Sequence, residues 1–226
     1  MPPEDYELLA AALPGEVRIL DTFRVTVTSA SSRIRAEIGV LERPATLIGH
    51  SMGGLAALEW VVEDPHNVKR IVLLDPSLPT DPVVRWMLPG TVAHRVIRGL
   101  FGAIGRIPVI ARSIGRAGRA QLLGMYDGLP DRLTRTEVDR IFGNRAALVS
   151  SWDQVCERFA LQLRMREVAV PPRIPMVQVV GVKAPVGAVE GQREFAASIG
   201  ATVVEVDEGH LFASRSPELV AAIVLG

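Results

Sequence analysis

The chain has 226 residues, 48% of them hydrophobic, with 25 basic and 25 acidic side chains that cancel. This composition excludes a disordered chain, and the balanced charge gives no basic surface with which to neutralise nucleic-acid phosphates. The length suits one domain with room for an inserted subdomain.

In chain order, Pro3 to Leu13 carries Tyr6, Leu9, Ala10 and Leu13 at helical spacing behind an acidic first turn, which predicts a helix stopped by Pro14-Gly15. Val17 to Leu20 reads as a short strand ending at Asp21, and Ser29 to Leu41 as a second helix with Ile34, Ile38 and Leu41 on one face. Ala45 to Gly49 is a short apolar strand that runs into a helix reaching about Glu63, which Asp64-Pro65 ends. Val68 to Leu74 is again a strand. From Pro79 to about Glu167 the only signal is helical periodicity broken by Gly and Pro. Strand character resumes at Met176 to Val180. A helix over Gln192 to Ile199, a strand at Thr202 to Val206 and a closing helix from Pro217 follow. Helices alternating with short apolar strands imply crossover units, hence a mostly parallel sheet covered on both faces and interrupted by a helical insert.

The single cysteine, Cys156, excludes an internal disulfide and a Cys-based zinc site, and its helical context makes it a small core hydrophobe. The N-terminus is acidic and has no signal-peptide pattern. No run of eighteen uncharged apolar residues occurs, so the expectation is a soluble cytoplasmic protein with no integral membrane segment.

Chemistry concentrates in Gly49-His50-Ser51-Met52-Gly53-Gly54, a G-x-S-x-G pattern between a strand and a helix. A nucleophilic serine needs a sharp strand-to-helix turn that lifts its Oγ clear of the sheet, and flanking glycines give that turn room. The helix beginning there aims its first amides at the reacting oxygen, so the Met52 N–H is one half of an oxyanion hole. Of the four histidines, His50 lies within the turn, His66 in a polar loop, and His94 in the helical insert, where it can at most line a pocket. His210, in Glu208-Gly209-His210-Leu211-Phe212, follows the last strand, from where a loop can swing over a serine at the same sheet edge. It is the candidate base.

These strings, ATLIGHSMGGLAALEW, VKRIVLLDPS and VEVDEGHLFASRSPELVAAI, resemble the α/β-hydrolase superfamily over most of residues 45–226. The resemblance implies the α/β-hydrolase fold, with residues 1–79 and 171–226 as core and 80–170 as a helical cap insert. It also implies a serine, acid, histidine order along the chain. Most relatives carry the acid in the loop after the strand that follows the cap, where this sequence has Ala184; some branches place it at the end of the strand after the nucleophile helix, which here is Asp75. Asp75 is the leading candidate, with Glu190 and Asp207 as alternatives. The family also opens with further strands and a His-Gly loop that gives the second oxyanion donor, and this sequence carries none. That points either to a start assigned too late or to a shortened member with an exposed sheet edge.

Seven arginines and no acidic residue lie between Asp81 and Asp127, interleaved with apolar residues. A cap with a solvated basic face accounts for this, and so does a cap that meets acyl chains, anionic substrates or a membrane surface. The expected function is a serine hydrolase acting on a small-molecule ester or related acyl substrate, with no cofactor or metal. The alternative is a catalytically weak relative that binds an apolar ligand or a partner protein. The sequence does not indicate an oligomeric state.

Overall fold

The computed structural model describes residues 1–23, 31–39, 43–126, 131–166, 174–184 and 189–226. A 3-10 turn at Pro3–Tyr6 leads into α1 (Glu7–Ala12), followed by α2 (Ser31–Ile38), β1 (Ala45–His50), α3 (Met52–Glu63) and β2 (Val68–Leu74). Four longer helices come next: α4 (Val92–Ile104), α5 (Pro108–Tyr126), α6 (Arg135–Phe142) and α7 (Arg145–Met165). The chain ends with β3 (Met176–Gly181), α8 (Val189–Ile199), β4 (Thr202–Val206), α9 (Phe212–Arg215) and α10 (Pro217–Leu225).

The four strands form one parallel sheet in the order β1-β2-β3-β4. β2 is central and shows why a parallel strand reads as a continuous apolar run. Ile71 and Leu73 enter a core cluster with Leu55, Leu58 and Trp60 of α3 and Leu161 of α7, while Val72 and Leu74 enter one with Leu9, Val179, Phe212 and Val220. Alternate residues therefore serve opposite faces, each closed by helices. All four side chains from Ile71 to Leu74 are fully buried.

One expectation fails. Residues 17–20 are not a strand: the described sheet ends at β1, and they do not pair with it. A strand exists only through a ladder with a neighbour. Here Leu20 packs at the margin of the core, and Arg18 Nη1 donates to Ile38 O at 2.8 Å. The second helix is described from Ser31 to Ile38, and the ends expected at Ser29 and Leu41 lie outside the described residues. α9, a single turn, was not expected. Cys156 is buried as expected, and burial, with Asp153 and Glu157 nearby, pushes its thiol up to about 11.

Between β2 and β3 the helices pack chiefly on one another. α7 carries the group onto the sheet layer: Arg164 Nε donates to Glu59 Oε1 of α3 at 2.6 Å, and Gln162 Nε2 to Leu78 O at 3.0 Å. Arg119 of α5 is buried and forks onto both Asp5 and Asp131, with contacts of 2.7 to 3.0 Å. It thereby ties α5 to the N-terminal turn. No helix among the described residues is long and apolar enough to cross a membrane.

Candidate active site

Ser51 follows β1 at the sheet edge where β2 and β3 end and where the loop after β4 meets His50. The serine joins β1 to α3 with φ 54° and ψ −120°, a left-handed backbone that a serine adopts only when its surroundings impose it. The reason is crowding. A Cβ on Gly49 would stand 2.4 Å from Gly53 O, and one on Gly54 would stand 2.6 Å from the Pro76 Cβ. Only glycine allows strand, turn and helix to approach this closely. Backbone bonds lock the turn: Ser51 N–H donates to Leu74 O, and Gly54 and Ser77 N–H both donate to Ser51 O, each at 3.0 Å. Ser51 stands at the N-cap of α3, where serine usually caps, yet its side chain makes no cap bond. The Met52 and Gly53 amides that open α3 precede its first hydrogen-bonded turn and point to the same end.

Asp75, the residue after β2, also has a positive φ, 45°. Its amide donates to Val179 O at 2.8 Å, which fixes the turn against β3. Asp75 is 0% and His210 2% exposed, and His210 Nδ1 lies 2.5 Å from Asp75 Oδ2. Ser51, Asp75 and His210 thus come from three separate sequence regions to one sheet edge.

The other two carboxylates point elsewhere. Glu190 pairs with Arg193 at 3.2 Å and Asp207 with Lys183 at 2.8 Å, both at the surface. Ala184 belongs to the tight turn after β3, where its N–H donates to Gly181 O. His66 is exposed in the polar loop before β2. His94 faces Asp153 at 3.3 Å within the helical group between β2 and β3.

Sequence reasoning missed the support around this constellation. The sequence shows His50 only as part of the turn, but its Nε2 lies 2.8 Å from His210 O and its Nδ1 2.7 Å from Tyr6 Oη. A carbonyl can only accept, so His50 Nε2 carries the proton and Nδ1 accepts from the Tyr6 hydroxyl. Burial, reinforced by the neighbouring His210 ring with centroids 4.8 Å apart, lowers His50 to about 3 and keeps it neutral. Burial raises the Tyr6 phenol, helped by the Asp5 charge, so it stays a donor. A second buried chain holds the Asp75 loop: Gln178 Nε2 donates to Gln192 Oε1 at 2.7 Å, and Gln192 Nε2 to Pro76 O at 2.9 Å. A polar glutamine inside the apolar run of β3 is the sequence signal for that chain. The contacts of His50 span 44 and 160 residues, and no local pattern reports them.

Among the described residues, no group of three or more His, Cys, Asp or Glu is arranged to hold a metal ion.

A parallel sheet with a strained serine between strand and helix defines a class of fold, and comparison with known proteins identifies it. The model of the alpha/beta hydrolase family matches residues 2–223, so the chain belongs to that family. Solved structures of the same fold include three close in shape. Cfl2 from Burkholderia cenocepacia is 17% identical at TM-score 0.67, with 99% of this chain and 83% of that chain covered. The epoxide hydrolase CorEH is 16% identical at TM-score 0.64, covering 100% and 86%. An alpha/beta hydrolase fold protein from Burkholderia ambifaria is 17% identical at TM-score 0.64, covering 88% and 70%. A search of curated proteins finds no match.

Proposed function

We propose that this protein is a serine hydrolase that cleaves an ester or related acyl substrate through an acyl-enzyme. The observation that carries the reading is the buried Asp75–His210 pair beside the strained Ser51 turn. Ser51 Oγ attacks the acyl carbonyl carbon. With His210 Nδ1 committed to Asp75, Nε2 takes the serine proton and returns it to the leaving group as the C–O bond breaks. Asp75 holds the tautomer that leaves Nε2 basic and offsets the charge of the imidazolium. The Met52 N–H, at the positive end of α3, receives the oxyanion. Water then attacks the acyl-enzyme with His210 as base again, releasing the acid and restoring Ser51.

Tyr6 and His50 act as positioning residues in this scheme. They hold the His210 backbone without touching substrate. The helices over residues 80–170 are read as the cap that shapes the acyl pocket.

Hydrolysis of nitrophenyl esters of increasing chain length tests the proposal. Turnover is expected in the native protein, with a preferred chain length, and is expected to vanish in Ser51→Ala and collapse in His210→Ala. Turnover unchanged in Ser51→Ala would overturn it. A folded native protein without turnover on any ester would favour the reading of a weak relative that binds an apolar ligand.

A further inference from the structure

Helix α4 packs on α7 through a mixed side, in which half-buried Ile97, Phe101 and Ile104, with Phe101 against Trp152, stand beside polar contacts. His94 and Arg98 reach Asp153 of α7 at 3.3 and 2.9 Å, Trp152 Nε1 donates to His94 O, and Gly102 lies against Arg145. The opposite side carries Val92, Val96 and Leu100, spaced four residues apart and so on one face, and these are 69%, 64% and 55% exposed. Past the end of α4, Ile107 and Val109 are exposed as well. A soluble helix normally turns such a stripe toward a core. Here the packed side is already filled by Ile97, Phe101 and the polar contacts with α7, and a second apolar stripe faces solvent.

The charges around the stripe divide in an informative way. Every charged side chain between residues 82 and 126 is an arginine. Arg98, Arg116 and Arg119 are paired, with Asp153, Asp139 and the Asp5–Asp131 couple respectively. Arg85, Arg95, Arg106 and Arg112 are exposed and have no carboxylate partner among the described residues. Arg95 adjoins Val96 and Arg106 adjoins Ile107, so uncompensated cations flank the exposed apolar side chains.

A second copy laid face to face on this stripe would set arginine against arginine, which argues against self-association. A surface that is apolar within and anionic at its rim complements both features. Arginine stems lie along apolar material while the guanidinium meets phosphate. We propose that α4 and its turn into α5 dock the protein on an anionic lipid bilayer, with Val92, Val96 and Leu100 entering the acyl boundary and Arg95 and Arg106 meeting the headgroup phosphates. The proposal does not rest on the reading of Ser51 as a nucleophile.

Co-sedimentation of the full chain with phosphatidylcholine vesicles, with and without phosphatidylglycerol, tests the proposal. Binding is expected to the anionic vesicles and to be weaker by more than roughly tenfold on phosphatidylcholine alone or at high salt. Arg95→Gln and Arg106→Gln are each expected to lower partitioning about fivefold at low salt. Leu100→Asp is expected to abolish binding with an unchanged circular dichroism spectrum and melting temperature, since the side chain faces solvent. Leu219→Asp, at an exposed position on α10, is the control and is expected to bind like the native chain. Three results would each overturn the proposal: no binding to anionic vesicles, equal binding to both vesicle types, or Leu100→Asp and the arginine variants binding like the native chain. A native dimer that Leu100→Asp dissociates, without vesicle binding, would instead assign the stripe to a second copy.

Discussion

Replacing Asp75 with Asn changes one atom and reverses one hydrogen bond. Asn tolerates the positive φ of 45° at this position, so the turn after β2 keeps its shape. The carboxylate now 2.5 Å from His210 Nδ1 becomes an amide whose NH2 donates to that nitrogen. The imidazole proton is then driven to Nε2, where it cannot accept from Ser51. The imidazolium formed during acylation also loses its counter-charge. At an effective dielectric near 20, opposite charges about 4 Å apart attract by about 4 kcal/mol, equivalent to about a thousandfold in rate. With the tautomer reversed as well, Asp75→Asn is expected to lower kcat by roughly 10³- to 10⁴-fold with little change in KM. Glu190→Gln and Asp207→Asn, at surface ion pairs, are expected to stay within roughly twofold of the native rate. Steady-state hydrolysis of the preferred nitrophenyl ester reads all three. Native-like turnover in Asp75→Asn, or a large loss in Glu190→Gln, would refute the assignment of the acid.

Other perturbations follow from the same geometry. Gly49→Ala places a Cβ 2.4 Å from Gly53 O, so the Ser51 turn must shift; the expected result is a lower melting temperature and loss of turnover, and a fully active variant would contradict the packing argument. Arg119→Met leaves Asp5 and Asp131 facing each other without their shared cation and is expected to cost about 3–5 kcal/mol in urea unfolding. Arg119→Lys recovers only part of that, because one ammonium cannot reproduce a fork onto two carboxylates. His50 stays neutral in the folded protein down to about 3, whereas in the unfolded chain it takes a proton near its ordinary 6.5. Its contribution therefore makes stability fall as pH drops from 6.5 toward 3, by about 1.4 kcal/mol per pH unit. Denaturation of His50→Gln across that range should show a shallower fall, and an unchanged slope would contradict a buried neutral His50.

The sequence was most informative where local pattern and tertiary context agree. β1, β2 and β4 lie where their apolar runs placed them, because a buried parallel strand needs little beyond such a run and a stop signal at each end. The turn around Ser51 was legible because crowding between Gly49, Gly53 and Gly54 leaves a fixed spacing in the chain. Val17 to Leu20 carried the same apolar signal and failed, since pattern reports a strand's readiness and not the presence of a neighbour to pair with. Asp207 lies too close to His210 along the chain to be favoured, but choosing between Asp75 and Glu190 needed the fold, which alone says which carboxylate lies against the imidazole. Tyr6 and His50 escaped for the same reason: their bonds join the N-terminal turn to the loop after β4. The arginine-rich stretch was visible at once. What the sequence could not supply was the division between arginines paired with Asp5, Asp131, Asp139 and Asp153 and those left facing solvent.

The central claim is that Ser51 is an activated nucleophile, and covalent trapping tests it most directly. Incubation of the folded protein with a fluorophosphonate, followed by intact and peptide mass spectrometry, is expected to give a single adduct on the peptide containing Ser51. The adduct should be absent in Ser51→Ala and form far more slowly in His210→Ala. A folded native protein that acquires no adduct, or one whose adduct persists in Ser51→Ala, would contradict the account.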